Sequence, residues 1–154
     1  MKIGQLLTNE SILLNVDVYD KTALLRFAAE QFVRSGVAAS SRLLFEGLRF
    51  REDVLSTGIG GGIAIPHTTL PEVGRGAILL VRPAKPIDFG AMDALPVDIV
   101  LPMVISAQDS AGHLRLLAGI SRLCRTPFFA KTVRSAETTE NLLAPIKRFE
   151  ASLP

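Results

Sequence analysis

The chain has 154 residues, about half of them apolar, and a formal net charge of +2. That is one domain's worth of chain with enough apolar content for a packed core, so disorder and a multidomain layout are excluded. Scattered basic residues, one tyrosine and no tryptophan argue against a nucleic-acid surface, and a lone cysteine, Cys124, excludes an intrachain disulfide.

The opening residues, MKIGQLLTNE, lack the long apolar core of a signal peptide. The longest apolar stretches, Ala77 to Val81 and Ile99 to Ile105, are far short of a membrane span. The expectation is a soluble, cytoplasmic protein with no direct membrane insertion. Asp20 to Gly36 reads as a helix, because Leu24, Leu25, Ala28, Ala29, Phe32 and Val33 recur at helical spacing behind a capping aspartate. A second helix starts at Ser40 or Ser41, carries Leu43, Leu44 and Leu48, and runs toward Glu52.

Ser56 to Gly62 is a polar, glycine-rich turn. A short apolar run, Ile63-Ala64-Ile65, follows and is closed by Pro66, which has no N–H to donate. Gly76 to Val81 reads as a buried strand, and the proline-rich stretch after it as loop. Val97 to Ser106 reads as another buried strand, with Pro102 as an anomaly inside it. Ser110 is the expected cap of a helix over Ala111 to Arg125, with Leu114, Leu117, Ser121 and Cys124 on its apolar side. Thr126-Pro127 opens a short helix. A last helix near Ser135 to Ala144 meets Pro145, which should end or kink it. Apolar strands interleaved with amphipathic helices give an α/β sandwich, a sheet covered by helices on both faces.

The chemistry concentrates between Arg51 and His67. Four glycines within positions 58 to 62 allow sharp bending and close approach. Ser56 and Thr57 bring hydroxyls, and Arg51 brings a permanent cation suited to phosphate oxygens. The short strand then delivers His67 at its C-terminal end, where ligands of open α/β sheets tend to bind. This is neither a Walker loop nor the dinucleotide fingerprint, since no Lys-Ser or Lys-Thr pair follows the glycines and they lead into a strand. Ser56, Thr57, Gly58 and Gly60 are the expected phosphate-binding residues, with no cofactor and no metal site; taken alone, the glycines also read as a flexible turn and the histidine as a structural one. Glu52 has two readings, a helix-surface residue or a group that orients Arg51 or an imidazole. Cys124 reads as a small buried hydrophobe.

Arg51-Glu52, Ser56-Thr57-Gly58-Ile59-Gly60 and Gly62-Ile63-Ala64-Ile65-Pro66-His67 together resemble the signature of the type 2 enzyme IIA domains of the bacterial phosphotransferase system, the fructose, mannitol and nitrogen-regulatory family. Pro86-Ile87-Asp88-Phe89, Asp93 and Pro96-Val97-Asp98 resemble its middle segment, and His113-Leu114 with Leu117 its second-histidine helix. The resemblance covers nearly the whole chain. It implies one enzyme IIA domain over residues 1–154, with the mannitol-type enzyme IIA fold, a single-domain sandwich around a mixed sheet. It implies a phosphotransferase activity in which His67 takes a phosphoryl group at Nε2, with Arg51 and His113 as catalytic neighbours. The implied donor is a phosphohistidine carrier of the HPr kind. The acceptor is either a regulated target protein, as in the nitrogen-regulatory type, or an enzyme IIB cysteine, as in the fructose type. A binding module that kept the fold without the transfer is the third reading. If Ser110 caps its helix, His113 lies in the first turn, where the positive helix end keeps imidazole neutral. One departure stands out. Thr68-Thr69-Leu70 follows His67 where many relatives carry a basic residue, and the next one here is Arg75.

Overall fold

A computed structural model describes residues 2–153. Three elements precede the expected first helix: the short helix α1 (Ile3–Leu6), a 3-10 turn (Asn9–Ser11) and the strand β1 (Ile12–Val16). None of the three is expected from the sequence. The run Ile12-Leu13-Leu14 is short, and Asn15, at φ 54°, interrupts its alternation with a bulge. Helix α2 (Lys21–Arg34) is capped by Asp20, whose carboxylate accepts the Ala23 N–H, and α3 (Ser41–Val54) by Ser40 in the same way. The strands β2 (Gly58–Gly60), β3 (Ile63–Ala64), β4 (His67–Leu70), β5 (Ala77–Ile78), β6 (Leu80–Pro83), β7 (Ile99–Val100) and β8 (Met103–Ser106) follow. Helices α4 (Ser110–Cys124), α5 (Pro127–Ser135) and α6 (Glu140–Ser152) complete the chain.

The sheet is mixed and comes in two parts, ordered β1-β6-β7-β3-β2 and β4-β8-β5. Three chain segments run through both parts: β3 into β4, β5 into β6, and β7 into β8. The two strands expected as continuous, 76–81 and 97–106, are therefore each broken. Pro66 and Pro102 sit at two of these breaks, where a missing N–H costs no ladder bond, and both carbonyls still accept, from Met103 and Leu79. Pro102 thereby ceases to be an anomaly. The break at Ile65-Pro66 makes His67 the first residue of β4.

Both faces of the sheet are covered. Ile63, Ile65, Ile99, Leu101 and Met103 pack with Leu116, Ile120, Phe129, Val133 and Ile146 of α4, α5 and α6. Ala64, Val81, Val100 and Val104 pack with Leu24, Phe32, Leu44 and Leu48 of α2 and α3. Burial on both sides is why these strands read as unbroken apolar runs.

Three helix expectations need correction. Asp109, not Ser110, is the N-cap of α4, accepting the Gly112 N–H at 2.9 Å. The buried side of α4 is Leu116, Ile120, Leu123 and Cys124, and Leu114 is exposed. The helix carries leucines round most of its circumference, so the face is set by what it packs on. Helix α6 starts at Glu140 and runs through Pro145 to Ser152. Pro145 leaves without its helical partner only the carbonyl of Asn141, an exposed residue that water can serve. Among the described residues no helix is long and apolar enough to cross a membrane.

Candidate functional site

His67 begins β4, an edge strand of its part of the sheet. Its ring turns back along the chain, and Nδ1 lies 2.8 Å from the Ile65 carbonyl oxygen. A carbonyl can only accept, so Nδ1 carries the proton and Nε2 keeps its lone pair. The ring is half-buried. Burial is the main cause that lowers its pKa below the ordinary 6.5; the Arg51 and His113 charges act the same way, and the Ile65 carbonyl and Glu52 oppose them. At neutral pH the group is a neutral imidazole.

His113 comes from the start of α4. Its ring centroid is 5.5 Å from that of His67, edge to face at 74°. Its Nε2 is buried with no hydrogen-bond partner. Burial lowers its pKa too, so the neutral state expected from the helix end is kept by desolvation. Arg51 comes from the last turn of α3, where Nη1 donates to the Leu55 carbonyl at 2.8 Å, steadying the guanidinium while its other donors remain available.

These three residues meet at an open depression of about 630 Å³, lined by α3 from Leu43 to Arg51, by His67, Thr68 and Thr69, and by His113. The β4–β8 ladder is bracketed by the bonds from Met103 N–H to Pro66 and from Ala107 N–H to Leu70. Alternation between those ends turns the backbone groups of Thr68 toward β8, and those of His67 and Thr69 toward the free edge. Helix α3 comes close because Gly47 faces Thr68: a Cβ there would lie 2.5 Å from Thr68 Oγ1. Glu46 lines the depression as well, with its carboxylate paired to Arg42 at 3.0 Å.

The four expected phosphate-binding residues stand apart from this lining. Ser56 Oγ donates to the Phe89 carbonyl at 2.7 Å and accepts the Gly58 N–H at 3.1 Å. Thr57 is buried; its hydroxyl and N–H both donate to Glu52, at 2.5 and 3.1 Å. Gly60, at φ 92°, enters a turn held by Asp93, which accepts the Gly61 N–H, and by Arg134, which donates to the Gly61 carbonyl. That turn lies at the start of β3, and His67 lies past its end. The antiparallel hairpin sets Gly58 opposite Ala64 and the Thr57 carbonyl on the Ile65 N–H, so Gly60 to Gly62 turn at the far end of β3 while Ser56 to Gly58 return toward His67. The side chains of Ser56 and Thr57 are engaged in bonds that shape the hairpin aiming His67.

The sequence reading missed Leu43, Glu46, Gly47 and Phe50. They lie on the side of α3 near Arg51, at i−8, i−5, i−4 and i−1 respectively, so the predicted helix held that signal. It also missed Lys21, whose Nζ pairs with Glu52 at 3.0 Å across a long stretch of sequence that no local pattern reveals. Glu52 itself is buried, which removes the helix-surface reading. Among the described residues no three His, Cys, Asp or Glu side chains converge.

The family model described as phosphoenolpyruvate-dependent sugar phosphotransferase system, EIIA 2, matches residues 5–149. A nitrogen regulatory protein of Bradyrhizobium diazoefficiens is 37% identical over 141 residues, which is 91% of this chain and 91% of that protein. The crystal structure of the nitrogen regulatory protein IIA-Ntr from Neisseria meningitidis superposes with a TM-score of 0.88 at 26% identity, covering 94% of this chain and 98% of that one. IIA mannitol from Escherichia coli, at 19% identity, shares the fold with a TM-score of 0.78 over 91% of this chain and 98% of its own. The chain belongs to the type 2 enzyme IIA family of the phosphoenolpyruvate-dependent phosphotransferase system and is a phosphocarrier of the nitrogen-regulatory type.

Proposed function

We propose that His67 is the phosphoryl acceptor, through Nε2, and that the donor is the phosphohistidine of an HPr-like carrier protein docked over the depression. The observation that carries this is the bond from Nδ1–H to the Ile65 carbonyl, which leaves Nε2 as the nucleophilic atom of a neutral ring. In the transfer the donor's N–P bond breaks as the Nε2–P bond forms. No proton need leave His67, because Nδ1 keeps its own. Positive charge then develops on the ring, and the Ile65 carbonyl dipole, already aimed at Nδ1–H, stabilises it. That same charge keeps the phosphoryl group labile for onward transfer.

The transferring phosphoryl group spreads negative charge over three oxygens, so the remaining task is positioning and electrostatics. Arg51 supplies the cation. His113, kept neutral, donates one N–H without adding charge. The exposed Phe50 and partly exposed Leu43 beside the site supply apolar contact for a docking protein. A phosphoryl dianion on His67 changes the charge of that surface, which is the local event a regulatory readout needs.

The test uses labelled phosphoenolpyruvate, enzyme I and HPr. The wild-type chain should gain an acid-labile label that His67→Ala lacks. Label retained in His67→Ala ends this reading. Addition of an enzyme IIB then separates the outcomes: a regulatory carrier keeps its label, and a sugar-transport carrier loses it to the IIB cysteine.

A further inference from the structure

We propose that Glu52 is a positioning residue for His67: with Lys21 it forms a buried brace that, through Thr57 and Ile65, holds the imidazole as the Nδ1–H tautomer with Nε2 free. This rests on the carrier reading above and goes beyond it by naming what sets the nucleophile.

Glu52 is only 5% exposed, so its carboxylate must find partners inside the protein. It accepts from three donors: Lys21 Nζ at 3.0 Å, Thr57 N–H at 3.1 Å and Thr57 Oγ1 at 2.5 Å. The Thr57 carbonyl accepts the Ile65 N–H at 3.0 Å, and the Ile65 carbonyl accepts His67 Nδ1–H at 2.8 Å. One unbroken series of bonds thus runs from a lysine on α2, through a carboxylate on α3 and the residue before β2, to the reacting ring. Lys21 also stands over the Phe89 ring, 5.2 Å from its centroid, and the Phe89 carbonyl takes the Ser56 hydroxyl. The segment bearing Thr57 is therefore pinned on both sides.

The geometry of α3 gives this arrangement a purpose beyond stability. Adjacent helical residues point about 100° apart, so Arg51 and Glu52 diverge. Arg51 reaches the depression where the phosphoryl group arrives, and Glu52 reaches behind the strand that carries the imidazole. One helix turn supplies both the cation for the oxygens and the anchor for the nucleophile. The charged groups acting on His67 are Arg51, His113 and Glu52, and Glu52 alone favours the protonated ring.

The test is made on the full chain, free of donor, by long-range ¹⁵N NMR of the His67 ring across its titration. Phosphorylation from labelled phospho-HPr is timed in parallel. Glu52→Gln should lower the His67 titration midpoint and convert a readily detected fraction of the ring to the Nε2–H tautomer. It should slow phosphorylation at saturating donor roughly 10- to 100-fold with little change in KM. Because Glu52→Gln leaves Lys21 without its charge partner, Lys21→Met/Glu52→Gln is made as well, and it should show the same tautomer change. Thr57→Val, which keeps the ion pair, should move the ring in the same direction by less. Should all three variants keep the wild-type tautomer and midpoint and lose only thermal stability, the brace is a structural ion pair and the proposal is overturned. That outcome is independent of whether His67→Ala still takes label, which bears on the carrier reading alone.

Discussion

His67 and His113 are both kept neutral mainly by burial, and the proposed transfer gives them different work. His67 has its Nδ1–H committed to Ile65, so it can act only through Nε2. His113 Nε2 has no partner in the resting protein, a cost of about 1–3 kcal/mol for a buried polar atom that a phosphoryl oxygen would relieve. A group that is unsatisfied before transfer and satisfied during it favours the transition state over the ground state. His113→Ala should therefore slow phosphorylation about 10- to 100-fold while the protein still reaches full labelling. A His113→Ala protein that never takes label would assign His113 an essential role and refute this one. Cys124 plays no part: it is buried on α4, and its thiol is pushed up to about 12, far from the reactive thiolate range.

At the scale of elements, the site depends on how closely α3 lies on β4. Gly47 permits that approach, with Thr68 filling the space a side chain would need. Two effects of Gly47→Ala compete. Alanine gains about 1 kcal/mol of helix propensity. Against this, a Cβ 2.5 Å from Thr68 Oγ1 and 3.3 Å from Thr68 Cβ forces backbone to separate, because the branched side chain has few rotamers to move into. Overpacking of this kind costs about 1–3 kcal/mol. Gly47→Ala should lower stability in urea titration and slow phosphorylation, since β4 carries His67. A variant more stable than wild type would show the contact to be soft. Legibility in the sequence follows the same division. The capped helices α2, α3 and α5 could be read directly, because Asp20, Ser40 and Thr126 lie at their caps and α5 begins with Pro127. The buried face of α4, the passage of α6 through Pro145 and the strand β1 could not, because each depends on a neighbour distant in sequence.

For the whole molecule, the pH dependence of stability has few contributors near neutrality, since the chain has only two histidines and both have lowered pKa values. Below the ordinary histidine value of 6.5 the unfolded chain binds protons that the folded protein resists, so stability falls as pH falls through that range. Above it both states hold neutral rings and the histidine contribution is flat. Urea midpoints should therefore decline as pH drops below about 6.5, and His67→Ala/His113→Ala should remove most of that decline. An unchanged slope in the double variant would place the titration elsewhere.

The sequence by itself determined the helices with explicit caps, the α/β class and the segment from Arg51 to His67, because those features are local: a cap, a period and a glycine run act within a few residues. Only the tertiary structure decided that Ser56, Thr57, Gly58 and Gly60 hold a hairpin, that Glu52 is buried against Lys21, and that Arg51, His67 and His113 share one depression. Hydrogen-bond partners are chosen by proximity in space, and the fold brings residues 21, 52, 57, 65, 67 and 113 together only when both faces of the sheet are covered.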